Sequence, residues 1–312
     1  MIKKILVTGG AGYLGSILVP RLLECGHYVT VLDNFMYRQN SLAYVCSNRQ
    51  LELVRGDVRD EALVTQLASK ADIIIPLAAL VGAPLCDRDP TAAVAVNFGA
   101  IRSMVSRLSP SQWVLIPTSN SGYGIGEPGK FCTETDELRP VSLYGRTKVD
   151  AEKAVMDRGN AISFRLATVF GMSPRMRLDL LVNDFVYQAL HSREIALFEP
   201  HFKRNYIHIR DVATVFCRGI ENFSSMKKEI YNVGLSDANL SKMELCQKIK
   251  SFIPDLVIIE APIGVDPDQR NYIVSNAKIE ATGFGPDYSL DDGIRELIKG
   301  CSVLQNTRYG NI

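Results

Sequence analysis

Short hydrophobic runs rich in β-branched residues alternate with longer amphipathic segments in the first half of the chain. The runs that predict β-strands are Lys4–Thr8, Tyr28–Leu32, Leu51–Val54, Ile73–Ile75, Trp113–Ile116 and Ile162–Leu166. The segments that predict helices are Leu14–Cys25, Glu61–Ser69, Asp89–Ser109 and Tyr144–Asp157. Strands that are apolar on both faces and alternate with helices are typical of a parallel sheet covered on both sides. The pattern therefore predicts a doubly wound α/β fold.

After about Gly171 the pattern loosens into Arg-rich and Pro-bearing segments, with a strand-like Glu229–Asn232 and a closing helix near Asp291–Lys299. No repeat, low-complexity stretch or flexible linker separates this part of the sequence from the first. We therefore expect a first domain over residues 1–170 and a smaller α/β domain over residues 171–312 that supplies substrate contacts. Some segments of the second part are expected to return to the first.

The composition narrows the class of protein. Among 312 residues, 35 Lys and Arg balance 34 Asp and Glu, which argues against binding nucleic acid or an anionic membrane through charge. The longest uncharged apolar stretch, Ile73–Leu85, is too short to span a bilayer, and the apolar run at the N-terminus ends too soon for a signal peptide. Seven scattered cysteines without a Cys-x-x-Cys pair indicate reduced thiols and a cytoplasmic protein. The four histidines do not stand at metal-ligand spacing, so we expect no metal site.

The first predicted strand ends in a glycine-rich turn that opens directly into the first predicted helix. Gly9, Gly12 and Gly15 allow a tight turn and a close approach of the backbone to a pyrophosphate, to which the helix N-terminus presents N–H donors. Asp33 ends the next strand, where a carboxylate accepts hydrogen bonds from the adenosine ribose hydroxyls and repels a 2′-phosphate. The turn predicts a dinucleotide site with NAD favoured over NADP, so residues 1–170 are interpreted as an NAD-binding Rossmann domain.

A carboxylate and several small residues follow the next two strands. Asp57 and Val58 come after the third strand, where the carboxylate can accept from an adenine amino group and the valine can pack on the ring. Leu77, Ala78 and Ala79 come after the fourth strand, where small side chains leave room for the dinucleotide. Because ligands bind at the carboxyl ends of strands in open α/β sheets, we assign all five to the cofactor site.

Tyr144 and Lys148 stand four residues apart on a predicted helix and therefore share one face. A free tyrosine is a poor base at neutral pH, but an adjacent ammonium favours the phenolate, so Lys148 is expected to lower the pKa of Tyr144. The same ammonium can hydrogen-bond the nicotinamide ribose. Ser119, just beyond a predicted strand, can hydrogen-bond the oxygen that loses its proton. These residues predict proton removal from an alcohol while NAD takes the hydride, or the reverse reaction.

Together these motifs resemble the extended short-chain dehydrogenase/reductase superfamily, which contains NAD-dependent nucleotide-sugar epimerases and dehydratases. The resemblance covers nearly the whole chain and is carried by Gly9-x-x-Gly12-x-x-Gly15, Asp33, Gly56-Asp57-Val58, Ala78-Ala79, Asn97, Ser119, Tyr144-x-x-x-Lys148, Arg204–Asp211 and Tyr231–Gly234. It implies a small nucleotide-sugar-binding domain and a homodimer packed through the helix that carries Tyr144. Pro76 and Thr168 depart from the family pattern, which often has histidine and asparagine at these positions.

The resemblance also implies a role for individual residues. Ser119, Tyr144 and Lys148 would form the catalytic trio. The implied cofactor site consists of Gly9, Gly12, Tyr13, Leu14, Gly15, Asp33, Asn34, Asp57, Val58, Leu77, Ala78, Ala79, Asn97 and Lys148. The implied substrate site consists of Arg204, Arg270 and Asn183 at the diphosphate, Arg175 and Arg177 as further candidates, and Ser121. Arginine suits the diphosphate because its planar guanidinium can donate two parallel hydrogen bonds to phosphate oxygens.

The two residues after Ser119 bear on the type of reaction. Family 4,6-dehydratases have an Asp-Glu pair where this chain has Asn120 and Ser121, and neither side chain is a competent general acid or base near neutral pH. Family members that epimerise C3 or C5 have a cysteine at the position of Ser121. Redox chemistry at C4 remains, as net oxidation, net reduction or the oxidation–reduction pair of a 4-epimerase.

Three stretches, Pro76–Cys86, Asn120–Gly126 and Phe170–Phe185, are similar to a bacterial subfamily that oxidises C4 of GDP-manno-heptose for capsule polysaccharide. This similarity implies a GDP-sugar substrate. The alternative to an enzyme is a Rossmann protein that senses NAD without turnover. Such proteins commonly lack the Tyr or the Lys of the trio, and this chain has both.

Overall fold

The computed structural model describes residues 1–38, 40–261 and 270–304 of the chain. Its strands are β1 Lys4–Thr8, β2 Tyr28–Asp33, β3 Leu51–Arg55, β4 Ile73–Pro76, β5 Trp113–Ser119, β6 Phe131–Cys132, β7 Ala161–Leu166, β8 Thr168–Phe170, β9 Glu194–Leu197, β10 Lys203–His208, β11 Ile230–Val233, β12 Asn239–Ser241, β13 Val257–Glu260 and β14 Ile273–Val274. Its α-helices are α1 Gly15–Glu24, α2 Glu61–Ala68, α3 Ala83–Arg88, α4 Pro90–Val94, α5 Ala100–Val105, α6 Leu143–Met156, α7 Leu181–His191, α8 Ile209–Glu221, α9 Phe223–Met226, α10 Lys242–Phe252, α11 Ala277–Glu280 and α12 Leu290–Cys301.

A seven-stranded parallel sheet forms the centre of the fold, in the order β11-β7-β5-β4-β1-β2-β3. Its inner strands are almost entirely buried because helices cover both faces, which explains the continuous apolar runs in β1 and β4. The strand order reverses direction between β1 and β4, where two diverging crossovers leave a crevice at the carboxyl ends. The predicted doubly wound α/β fold is confirmed.

The second half of the chain contributes to this sheet as well as to three smaller ones. Strand β11 forms its edge and pairs in parallel with β7. Outside the large sheet, β8, β10 and β12 pair together, β9 pairs with β13, and β6 pairs with β14. The span 171–312 includes residues 262–269 and 305–312, which lie outside the described residues. Among the residues that are described, no helix combines the length and apolarity needed to cross a bilayer.

The helix predicted over Asp89–Ser109 is a rod in three parts. It consists of α4, a π-helical turn at Ala95–Gly99, and α5. Asn97 lies in the π-helical turn and is completely buried, whereas Ile101 and Met104 of α5 pack into the core beside the sheet. The π-helical turn therefore allows both the polar side chain of Asn97 and the apolar face of α5 to point into the protein interior.

A buried ion pair joins helix α6 to the sheet. Arg165 of β7 donates to Glu152 of α6, with 2.6 Å between Nη2 and Oε1, and both side chains are at most 6% exposed. Thr118 of β5 and Ser163 of β7 also donate to Glu152 Oε2, at 2.8 and 2.7 Å. Since the two charges compensate each other and the carboxylate receives several donors, this pair fixes α6 against two strands.

Replacement of one partner of this pair should destabilise the protein strongly. Glu152→Gln leaves the Arg165 guanidinium buried without a counter-charge, and we expect a loss of about 3–5 kcal/mol in the free energy of unfolding. The double variant Glu152→Gln, Arg165→Met removes both charges and should recover a large part of that loss. Urea unfolding of the three proteins measures both effects, and equal losses in the single and double variants would contradict this account.

Candidate functional site

A cavity of about 880 Å³ opens at the carboxyl ends of the strands, on both sides of the reversal in strand order. The glycine-rich turn, Asp33, the trio and four of the predicted arginines all line it. The predicted residues in its wall are Gly9, Gly12, Tyr13, Leu14, Gly15, Asp33, Asn34, Asp57, Val58, Leu77, Ala78, Ala79, Ser119, Tyr144, Lys148, Arg175, Arg177, Arg204 and Arg270. Residues that are far apart in the sequence therefore share one enclosed space.

The glycine-rich turn forms a cradle at this cavity. Gly9 has a positive φ of 71°, and a Cβ there would lie 2.5 Å from the amide nitrogen of Ala78, so β1 and the segment after β4 can meet only at a glycine. A Cβ at Gly12 would lie 3.1 Å from the carbonyl oxygen of Gly9 and would otherwise meet open space among the described residues. The space beside Gly12 at the start of α1 is thus the part of the cavity that suits a phosphate group.

Asp33 is bound to the turn through its carboxylate. One oxygen accepts from the Ala11 amide at 3.0 Å and the other from the Phe35 amide at 2.8 Å. Burial raises the pKa of Asp33 above its usual value, while these amides oppose the rise. Asp57, at the end of the next strand along the sheet, forms a two-point ion pair with Arg59 that lowers its pKa. Both carboxylates still line the cavity.

The trio lines the cavity, with Tyr144 and Lys148 both on helix α6. Ser142 caps α6 by accepting from the Gly145 amide, which starts the helix one residue before Tyr144. Burial lowers the pKa of Lys148 from 10.5 to about 8, and Glu152 opposes this shift. Burial also raises the pKa of Tyr144. The positive charges that oppose this rise most are Arg270 and Arg177.

Ser119 belongs to a chain of hydrogen bonds. Its hydroxyl lies 2.7 Å from the hydroxyl of Ser121, and Ser119 is also one of the groups that act to lower the pKa of Tyr144. The Ser121 amide also donates to Ser119 Oγ at 3.1 Å, and Arg270 Nη1 donates to Ser121 Oγ. Ser121 is almost fully buried behind Ser119 and does not line the cavity as the structure describes it, which corrects its assignment as a substrate contact.

Asn97 also lies behind the cavity wall. Its amide oxygen accepts from the Leu80 amide at 2.8 Å, and its nitrogen donates to the Leu80 carbonyl at 2.9 Å. A further contact of 3.3 Å reaches Thr147, the neighbour of Lys148. Asn97 therefore holds the segment after β4 in place, which corrects its assignment as a direct cofactor contact.

Asn183 of α7 has its whole amide engaged by protein. The nitrogen donates to the Arg177 carbonyl at 2.9 Å and to the Tyr13 hydroxyl at 3.2 Å, and the oxygen accepts from the Gly171 amide at 3.0 Å. The expected donation to a diphosphate is thus corrected, because both amide hydrogens already have acceptors. Instead Asn183 joins the glycine-rich turn to the segment that carries Arg177.

The four arginines do not form one cluster. The Arg175 guanidinium lies 3.8 Å from the centre of the Tyr37 ring and interacts with Asp33, so it belongs to the end of the cavity predicted for adenosine. Burial lowers its pKa to about 10. Arg177 and Arg270 act on Tyr144, and Arg177 also pairs with Asp179 at 2.5 Å.

Arg204 lies at a part of the wall with two residues that sequence reasoning missed, Lys242 and Tyr272. The Arg204 guanidinium is 5.9 Å from the centre of the Tyr272 ring, and Lys242 Nζ donates to the Phe198 carbonyl at 2.6 Å. No motif or spacing in the sequence marks these two residues. Within the described ranges, His, Cys, Asp and Glu side chains form no group that could hold a metal ion.

Comparison with protein families gives a match over most of the chain. The family model described as NAD dependent epimerase/dehydratase family matches residues 5–234. UDP-glucuronic acid decarboxylase 1 of Arabidopsis thaliana is 28% identical over 310 residues, which cover 95% of this chain and 69% of that protein. Low-salt glycan biosynthesis protein Agl12 of Haloferax volcanii is 26% identical over 310 residues, which cover 94% of this chain and 97% of that protein.

Solved structures show the same fold at lower identity. UDP-glucuronic acid 4-epimerase from Bacillus cereus, in complex with UDP-glucuronic acid and NAD, superposes with a TM-score of 0.85 at 20% identity, covering 96% of this chain and 99% of that one. UDP-glucose 4-epimerase from Thermus thermophilus, in complex with NAD, superposes with a TM-score of 0.82 at 22% identity, again covering 96% and 99%.

The depressed pKa of Lys148 predicts a specific dependence of stability on pH. Between pH 8 and 10.5 the unfolded chain binds the proton of Lys148 more tightly than the folded protein does, so this residue makes the wild type more stable as pH rises. Lys148→Met removes that gain. The free energy of unfolding of the variant, relative to the wild type, should fall by roughly 2–3 kcal/mol between pH 7.5 and 10.

Urea unfolding at several pH values measures this difference. The exposed Lys153 on the same helix provides the control, because Lys153→Met removes one lysine from the protein surface instead of from the cavity wall. A difference between Lys148→Met and the wild type that is independent of pH would show that Lys148 titrates normally.

Proposed function

The chain belongs to the NAD dependent epimerase/dehydratase family, and from this premise we propose that it binds NAD and transfers a hydride at C4 of a nucleotide-linked sugar. The observation that carries the proposal is the shared cavity, in which a phosphate cradle, a Ser-Tyr-Lys trio and buried arginines face one another. A sensor of NAD needs the cradle alone. The Ser-Tyr-Lys trio supplies proton chemistry that a sensor does not need, which favours a second ligand that reacts.

The cavity fits NAD at the glycine-rich turn. The open space beside Gly12 would take the pyrophosphate, and Asp33 at the end of β2 would meet the adenosine ribose. Small residues after β4, Ala78 and Ala79, leave the path toward Tyr144 open. When bound there, NAD supplies the acceptor for the hydride that leaves the sugar carbon.

The trio supplies the proton chemistry. In the oxidation direction, Tyr144 takes the proton of the sugar hydroxyl, so its phenolate must be accessible near the working pH. Burial opposes this, whereas Arg270 and Arg177 favour it. Ser119 donates to the oxygen that carries the developing charge. Lys148, one helical turn beyond Tyr144, would hold the cofactor by donating a hydrogen bond to its nicotinamide ribose.

The far wall would hold the nucleotide diphosphate. Arg204 and Lys242 are both almost fully buried and both line the cavity, so a charged ligand there gains strength from the low dielectric of its surroundings. Arg204 offers a planar donor pair suited to a phosphate. Asn120 and Ser121 contribute no carboxylate at the positions that a 4,6-dehydratase uses, which favours C4 redox chemistry without elimination.

For the substrate, we infer a GDP-linked heptose that is oxidised at C4 during surface polysaccharide synthesis, from the similarity of three stretches of the sequence. A 4-epimerase uses the same trio and is the second candidate. Purified enzyme should be given GDP-, UDP-, dTDP- and CDP-sugars while NADH and product stereochemistry are recorded. Accumulated ketone with NADH supports the dehydrogenase, an inverted sugar without net NADH supports the epimerase, and a 4-keto-6-deoxy product would overturn both.

Tyr144→Phe separates catalysis from binding. The variant keeps the ring and loses the group that accepts the proton, so NAD affinity should stay within about threefold while turnover falls by roughly 100- to 10,000-fold. Fluorescence titration with NAD and single-turnover formation of NADH measure the two quantities. Tyr28→Phe, at an exposed tyrosine of β2, is the control. If Tyr144→Phe left turnover unchanged, the proposed role of the trio would be abandoned.

A further inference from the structure

The direction of the hydrogen bonds behind Ser119 can be worked out from the groups involved. Arg270 has only donors, so Ser121 Oγ must be the acceptor in their contact. Either serine can donate in the 2.7 Å contact between Ser121 Oγ and Ser119 Oγ, but among the described residues Ser119 Oγ is the acceptor within reach of the Ser121 hydroxyl hydrogen, so we assign Ser121 as the donor. Because Ser121 is 1% exposed, solvent does not compete for that hydrogen.

Ser119 Oγ thereby receives two donors. One is the Ser121 hydroxyl, and the other is the Ser121 amide at 3.1 Å. A hydroxyl oxygen has two lone pairs and one hydrogen, so both acceptor sites are filled. With this assignment the remaining hydrogen of Ser119 points away from Ser121, and we infer that it is directed to the phenol of Tyr144, whose pKa Ser119 acts to lower.

We propose that Ser121 and Arg270 are positioning residues that hold Ser119 as a hydrogen-bond donor to the reacting oxygen. The proposal rests on the proposed function, because the reacting oxygen is the sugar hydroxyl or the phenolate that deprotonates it. A donor fixed before the reaction stabilises negative charge on oxygen without the cost of reorientation. Each bond in such a chain also polarises the next.

The charges around Tyr144 agree with this arrangement. Arg270 and Arg177 are the positive groups that act on it most, Cys86 acts in the opposite sense, and Lys148 lies one turn along the same helix. Arg270 therefore favours the phenolate in two ways, through its charge and through the chain Ser121–Ser119. Arg270 was expected to bind the diphosphate, a role that predicts a different kinetic effect.

Ser121→Ala tests the middle residue of the hydrogen-bonded series Arg270–Ser121–Ser119. The variant frees the hydroxyl of Ser119 to rotate, and we expect kcat to fall about tenfold, the equivalent of one hydrogen bond, with KM within about twofold of the wild type. Ser251→Ala, which removes an exposed hydroxyl that donates to the Lys248 carbonyl, is the control. An unchanged kcat, or a raised KM with an unchanged kcat, would overturn the proposal, since the second result is that of a substrate contact.

Arg270→Met and Arg270→Lys test the charged residue at the end of this hydrogen-bonded series. In the oxidation direction kcat/KM rises with pH as Tyr144 loses its proton. Arg270→Met should therefore shift this rise in kcat/KM to higher pH and should also reduce kcat. Arg270→Lys keeps a cation with only donors and should restore most of both. If Arg270→Met raised KM without changing kcat or the pH at which kcat/KM rises, Arg270 would be assigned to the diphosphate alone.

A neutron crystal structure of the deuterated protein gives a result that does not depend on turnover. The deuterium of Ser121 should lie between the two serine oxygens, and that of Ser119 should point toward Tyr144. A Ser119 deuterium directed at Ser121 would overturn the proposal. If the enzyme turned over none of the nucleotide sugars, the proposed function would fail while the deuterium positions still decided the direction of the chain.

Discussion

The arrangement of the site depends on the hydrogen bonds and the ion pair that the buried carboxylate of Glu152 forms. It receives hydrogen bonds from Thr118 of β5, from Ser163 of β7 and from the guanidinium of Arg165. Thr118 precedes Ser119, and Glu152 lies one helical turn after Lys148. The separation between the serine and the helix face that carries Tyr144 and Lys148 is therefore set by one buried anion, which cannot shift without leaving charge unpaired.

A second set of contacts joins the glycine-rich turn to the second half of the chain. The Tyr13 hydroxyl donates to the Gly171 carbonyl at 2.7 Å, and Asn183 bonds to Tyr13 and to the Gly171 amide. Ser16 and Ser173 are 2.7 Å apart and buried. The wall predicted for the cofactor and the segment that carries Arg177 thus share the same buried polar groups. Rigid attachment of this kind would keep NAD and the nucleotide sugar correctly oriented for hydride transfer.

Much of the fold was predictable because it follows from local pattern. Strand β1 has the predicted bounds, and the other strands of the central sheet begin or end within a few residues of prediction, since buried parallel strands form continuous apolar runs. Helices α8 and α10 were missed, although their signals are present. Ser241 and Glu244 form a capping box at α10, and α8 is strongly amphipathic.

The site was predictable only in part. The glycines, Asp33 and the trio lie at strand ends or at helical spacing, and the sequence displays such positions directly. The partners of Asn183, Ser121 and Arg175 could not be foreseen, because their contacts join segments more than a hundred residues apart or depend on which way a side chain turns. Arg165 did leave a signal, since an arginine inside a buried strand requires a counter-charge.

The π-helical turn at Ala95–Gly99 sets a constraint on how this chain can vary in length. Each residue turns an α-helix by about 100°, so the loss of one residue from the turn would rotate everything that follows it relative to Asn97. Either the bonds to Leu80 or the packing of Ile101 and Met104 would then be lost. An insertion or deletion among the five residues of that turn would therefore put the two halves of the rod out of phase.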